Sequence, residues 1–219
     1  MITILGDYFE PSLILKQETL TLHFSPSNLP LKKRWENNEV SADFIAEYVK
    51  NFWIGHFETE ECHCIEDEEY VIRLENLHNS VKYISNELFE NAMKFSYWED
   101  PSRNKEEYVN KDTEYNIDEN TSAGVIISLS EDRLVFYICH ITTNNQAYKY
   151  LKFINTLLDS DVEKLYYETM KNSYNEENIN NSGLGILSMI CDYSAILGWK
   201  FRQITESLTS TTTMVTLKV

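Results

Sequence analysis

The chain has 219 residues, with 19 Lys and Arg against 35 Asp and Glu, a formal net charge of −16. That balance excludes a protein whose business is non-specific binding to nucleic acid or to an anionic membrane, because both need cationic patches. A hydrophobic content of 42% and an aromatic content of 13% exclude a disordered chain despite the charge. The length suits one domain spanning 1–219, which would bury roughly 70% of its unfolded surface. A nucleotide is not excluded, since a helix N-terminus and a metal ion can hold one without many cations.

The N-terminal MITILGDYFEP carries no basic stretch, no long apolar run and no cleavage site, so it predicts no signal peptide. No run approaches the ~18 apolar residues of a membrane span. The four cysteines, Cys62, Cys64, Cys139 and Cys191, are unevenly spaced, which argues against a disulfide framework. A cytoplasmic protein is expected.

In chain order, ITILGDYF and TLTLHFS read as two short strands broken by EPS. Val40–Trp53 has apolar residues at helical spacing, with Ser41 as N-cap. Residues 66–98 form a long helical pattern without Gly or Pro, either one helix or two meeting near His78-Asn79. A charged loop insertion follows at about 98–121. Its first 23 residues hold eight acidic and three basic side chains and no apolar period, as a solvated excursion or a docking surface for a basic partner would.

AGVIISL and RLVFYICHI then read as a buried hairpin around SEDR. Helices are expected at about 145–158 and 161–171, and NSYNEENINN as a loop. SGLGILSMICDYSAIL reads as a loop turning into a buried helix that ends at Gly198, and WKFRQIT and TTTMVTLKV as a second hairpin. The order contains no run of βαβ units, so the class is α+β.

Two stretches carry chemistry. In NELFENAMKFS, Glu87 and Asn91 are four apart and share a helical face, bordering the apolar stripe of Ile84, Leu88 and Phe95. A carboxylate there can orient or deprotonate a hydroxyl. An Asn oxygen beside it can ligate Mg²⁺. A face turned to solvent is the plainer alternative. In NNSGLGILSMI, two glycines flank Leu184 before a helix, so phosphates could approach the backbone and the uncapped N–H groups. An ordinary Gly-rich turn would look the same.

Taken together and in this order, the stretches resemble the GHKL ATPase superfamily, the fold shared by histidine kinases, gyrase, MutL and anti-sigma-factor kinases. NELFENAMKFS resembles its N-box, NSGLGILSMICDYSAILGWKFR its second glycine box and following helix, and TTTMVTLKV its last strand. Glu at position 87 is closer in style to the anti-sigma serine kinases and SiaB-like partner-switching kinases.

The resemblance implies a Bergerat-type sandwich, a mixed and mainly antiparallel sheet backed by helices. It implies ATP and Mg²⁺ as ligands, with Glu87 as general base, Asn91 as Mg²⁺ ligand and Lys94 reaching a phosphate. It also implies Ser182, Gly183, Leu184 and Gly185 as the phosphate-binding turn. One of Thr211, Thr212 or Thr213 would be the adenine-side threonine, with Thr212 taken as its place. The implied activity is Ser/Thr phosphorylation of a STAS-type antagonist, or control of a sigma factor, with a homodimer left open.

Where the family carries an Asp followed by glycines, this chain reads HITTNNQA. A degenerate GHKL fold acting as a non-catalytic protein-interaction module is therefore the alternative. Two smaller candidates remain. Cys62, His63 and Cys64 could hold Zn²⁺ or sit in an exposed linker, and structural zinc wants four ligands. His140 reads as a core or rim histidine, with a catalytic role as the rarer case.

Overall fold

The computed structural model describes residues 1–11, 18–24, 31–58, 68–97, 123–130, 132–175 and 183–218. The charged insertion at 98–121, the cysteine pair Cys62 and Cys64 with His63, and Ser182 lie outside the described residues.

Alternating apolar and β-branched runs form six strands. These are β1 (Ile2–Gly6), β2 (Glu18–Phe24), β3 (Ala123–Leu129), β4 (Arg133–Thr143), β5 (Ile196–Gln203) and β6 (Leu208–Lys218). Five helices accompany them: α1 (Leu31–Glu58), α2 (Glu68–Phe95), α3 (Asn144–Leu158), α4 (Val162–Asn175) and α5 (Leu184–Cys191). The strands make one sheet in the order β1-β5-β6-β4-β3-β2, so the class is α+β.

Every described strand pair is antiparallel, where a mixed sheet was expected. The connections explain this. Two hairpins join β3 to β4 and β5 to β6. The antiparallel pair α1–α2 returns the chain to the end of the sheet at which β2 left it. The three helices between β4 and β5 do send the chain to the opposite end, but β6 then lies between those two strands.

The pleat of β4 divides the protein into two sides. Leu134, Phe136 and Ile138 point toward the helices and join the main core with Ile45, Trp53, Ile84 and Leu88. Val135 and Tyr137 point the other way and pack with Met214 under Tyr8 and Phe9. Tyr137 also donates its hydroxyl proton to the Phe9 carbonyl at 3.1 Å.

α2 is one helix of 28 residues that runs straight through His78-Asn79. Glu68 and Glu69 in its first turn and Lys94 in its last suit the helix dipole. Leu74, Val81, Ser85, Leu88 and Ala92 recur at helical spacing and are buried. His78 Nε2 meets Glu47 of α1 at 3.1 Å, and Lys82 pairs with Asp43.

Several boundaries differ from expectation: β1 stops at Gly6, and α4 runs to Asn175, four residues into the stretch expected as a loop. α1 begins at Leu31, nine residues earlier than the 40–53 pattern, so Ser41 is interior and is no N-cap; its hydroxyl donates to the Asn37 carbonyl at 2.8 Å. α5 ends at Cys191, not at Gly198. The Asp192 carboxylate takes the hydroxyl protons of Ser188 and Tyr166. Ser194 then turns the chain through a left-handed φ of 53° into β5. Gly198 sits inside that strand opposite Gly6, where a Cβ would run into the backbone of Tyr8.

Candidate functional site

A cavity of about 450 Å³ opens between α2, α3, the start of α5 and the helix-facing side of β4 and β6. That volume lies in the range of small-molecule sites, ~300–1,000 Å³. It gathers Glu87, Asn91 and Lys94 from α2 with Gly183, Leu184 and Gly185 from α5. Stretches some ninety residues apart in sequence thus meet in one place.

The α5 end is made of backbone. Gly183 holds φ at 106°, a conformation L side chains rarely adopt, and caps the helix without a side-chain hydrogen bond. The first intrahelical bond runs from the Leu187 N–H to the Gly183 carbonyl at 3.1 Å. The N–H groups of Leu184, Gly185 and Ile186 precede that bond and carry the positive end of the helix dipole. A Cβ on Gly183 would stand 2.6 Å from the Phe153 ring, and one on Gly185 would overlap the Glu87 carboxylate. Glu87 therefore lies directly on the first turn of α5.

Burial raises the Glu87 carboxyl above its ordinary value. The charge of Glu90 adds to the rise, and that of Lys94 opposes it. A half-buried carboxylate with raised pKa is a better proton acceptor than an ordinary one. Lys94 sits at the rim, its ammonium 5.5 Å from the Phe95 ring centre. Lys149 of α3 lines the same cavity and is also exposed. Tyr83 stacks on Tyr193 at 4.8 Å and joins α2 to the turn after α5, and burial pushes its phenol up to about 12.

The sheet end is made of side chains. His140 is 6% exposed, and its Nδ1 has no hydrogen-bond partner among the described residues. Burial lowers its pKa to about 4, so the ring is uncharged near neutrality. It faces Thr211 across the β4–β6 ladder, and the Thr211 hydroxyl is likewise buried and without a partner. Thr142 donates to the Phe95 carbonyl at 2.7 Å. The Tyr150 hydroxyl accepts the Trp199 indole N–H at 2.9 Å and lies 3.2 Å from the Thr213 hydroxyl.

Of the expected site residues, Thr212 does not line the cavity. It pairs with Cys139 and points to the far side of the sheet, so the threonine at the cavity is its neighbour Thr213. Ser182 lies outside the described residues. Residues 146, 149, 150 and 153 of α3 were not anticipated, although their spacing of i, i+3, i+4 and i+7 marks one helical face. His140 is a cavity residue, in keeping with a rim or core position.

The donor set bears on what could be held here. Glu87, Glu90 and Asn91 offer carboxylate and amide oxygens, the hard ligands that suit Mg²⁺. No cluster of three or more His, Cys, Asp or Glu occurs among the described residues, so a closed protein-only cage is not built there. A cation sharing its coordination with a phosphate and water fits this arrangement better. Phe95, Tyr150 and Phe153 give the cavity aromatic walls.

Comparison of the chain with protein-family models, with curated proteins and with solved structures gives no match. No helix among the described residues is long and apolar enough to cross a membrane.

Proposed function

We propose that this protein binds a purine nucleoside triphosphate with Mg²⁺ in the α2–α5 cavity and acts as a regulatory Ser/Thr kinase of the anti-sigma and SiaB-like kind. One observation carries the reading: the Glu87 carboxylate lies against Gly185 in a cavity that also holds Asn91 and the uncapped start of α5. In this reading the α5 N–H groups and Lys94 receive phosphate oxygens, and the Asn91 amide oxygen holds the cation. Mg²⁺ supplies charge neutralisation at the transferring phosphate. Glu87 accepts the proton of a Ser or Thr hydroxyl presented by a partner of the STAS type. Phosphoryl transfer depends mainly on positioning and charge stabilisation, so few groups suffice.

Calorimetric titration with ATP and Mg²⁺ tests the binding half. Micromolar binding that Asn91→Ala abolishes supports it, and no heat at millimolar nucleotide overturns it. The catalytic half fails if Glu87→Ala phosphorylates a genuine partner as fast as the native chain. The second reading is a protein-interaction module without catalysis. It is favoured by the sheet end of the cavity, where His140, Thr142 and Thr213 stand and the lining's described carboxylates are all on α2.

A further inference from the structure

We propose that β1 is a docking edge for a second copy of this chain, pairing with its own counterpart about a two-fold axis through Ile4. The inference concerns the edge of the sheet, not the cavity, and is independent of the nucleotide reading.

The backbone of β1 is used on one side only. Asp7 donates its N–H to the Leu197 carbonyl at 3.0 Å, and the Met1 carbonyl accepts the Gln203 N–H at 3.1 Å. Odd-numbered residues therefore face β5, and Ile2 and Ile4 turn their N–H and C=O groups outward, where no described strand lies. Their side chains stand on the face of Lys200 and Arg202, away from the helices. Ile2 is 58% and Ile4 51% exposed. The opposite edge of the sheet differs. There β2 shows Thr19, Thr21 and His23 on the same face, all exposed and all polar. Sheet edges are blunted by polar or charged side chains, by proline or by a bulge, and β1 presents two isoleucines in their place.

Register and charge point to a second copy as the occupant. An antiparallel pair whose outward residues exchange hydrogen bonds sets Ile4 opposite Ile4 of the second copy and Ile2 opposite its Gly6. The isoleucines of both copies then form one apolar stripe, and Gly6, without a side chain, leaves room for the Ile2 across from it. Arg202 lies beside Ile2 in β5, so the pairing places it two strands from Asp7 of the second copy, within reach of a long side chain. The two-fold repeats that meeting of opposite charges at the other end of the stripe. Lys200 is already paired with Glu10, so two cations face two anions at this edge. A copy can therefore approach here without the repulsion that a net charge of −16 imposes elsewhere. Two five-residue strands are small against the ~1,200 Å² of a stable interface, so the dimer is a weak one that forms in the micromolar range.

Sedimentation velocity of the full chain at concentrations up to about 1 mM tests the proposal. The expected result is a monomer–dimer equilibrium that Ile4→Lys weakens at least about tenfold, because like charges then meet on the two-fold axis. Ile4→Pro should weaken it as much by removing an outward N–H, and circular dichroism checks that each variant keeps its fold. Cysteine variants fix the register independently. Ile4→Cys should form a covalent dimer under mild oxidation faster than the native chain, because hydrogen-bonded antiparallel partners stand about 5.5 Å apart at Cα, within disulfide reach. Ile2→Cys should not, because its counterpart lies four residues along the strand, roughly 13 Å away. A chain that stays monomeric at about 1 mM overturns the proposal and leaves the edge to a strand from another protein. A dimer that Ile4→Lys leaves intact overturns it too, as does one in which Ile4→Cys cross-links no faster than Ile2→Cys.

Discussion

The two ends of the cavity are built from different materials. At the α5 end the lining is backbone, because Gly183 and Gly185 carry no side chains, and the Glu87 carboxylate lies against it. At the sheet end it is side chains, His140 and Thr213, standing on the rigid β4–β6 ladder. A backbone lining is indifferent to sequence but depends on the glycines that leave it bare. Side-chain donors can be swapped for isosteres, yet each must be held by a partner. The first end should therefore break under any added atom, and the second only when hydrogen-bonding chemistry changes.

The largest effect is expected at the first end. Gly183→Ala combines a left-handed φ with a Cβ 2.6 Å from Phe153. Those costs, ~1–2 kcal/mol and ~1–3 kcal/mol, sum to ~2–5 kcal/mol. Denaturant unfolding measures it, and a loss under about 0.5 kcal/mol would mean that the helix start is not confined as described.

A comparable effect at the sheet end depends on pH. The His140 pKa is about 4 in the folded chain against 6.5 ordinarily, so the unfolded chain takes up a proton first as pH falls. The stability contributed by the neutral ring is complete above about 6.5 and is lost progressively down to about 4, some 3 kcal/mol in all. The gap in unfolding midpoint between the native chain and His140→Gln should vary across that window. A constant gap would show that the imidazole titrates normally.

Glu87→Gln sharpens the comparison in the opposite direction. A raised carboxyl pKa means that the folded chain disfavours the ionised form, a cost present above the folded value and absent well below the ordinary 4.5. The variant should gain stability at pH 7 and none at pH 3, and under the proposed kinase function it should also lose phosphoryl transfer. Solvent screening keeps that gain under about 1 kcal/mol. Thermal melts at both pH values decide it. The smallest effect belongs to the rim, where under the proposed function Lys149→Ala should weaken nucleotide binding about threefold, a difference that disappears in high salt.

Much of the fold was legible because its elements repeat simple periods. The α2 stripe from Leu74 to Ala92, the β3–β4 hairpin and the class all follow from spacing. The α5 boundary was not legible, since ILSMICDYSAIL is apolar on both sides of the turn and its period does not announce the change to strand. The α2–α5 half of the site was legible from an i, i+4 pair and two glycines. The α3 half was not, because periodicity identifies a face without saying what it faces. Thr211, Thr212 and Thr213 are hard to tell apart in sequence because the run from Thr209 to Thr213 has no apolar alternation, and a register error of one residue changes the face.

The Trp199 indole has a consequence of its own. It is 1% exposed and buried in the core, yet its N–H rests on the Tyr150 oxygen that borders the cavity. Any occupant that draws on the Tyr150–Thr213 pair alters the electron density at the atom to which the indole donates. The emission of that one tryptophan becomes an internal gauge of whether the sheet end is filled. An added dye or label is unnecessary, and replacing Trp199 with Phe should silence the signal while leaving the cavity walls in place.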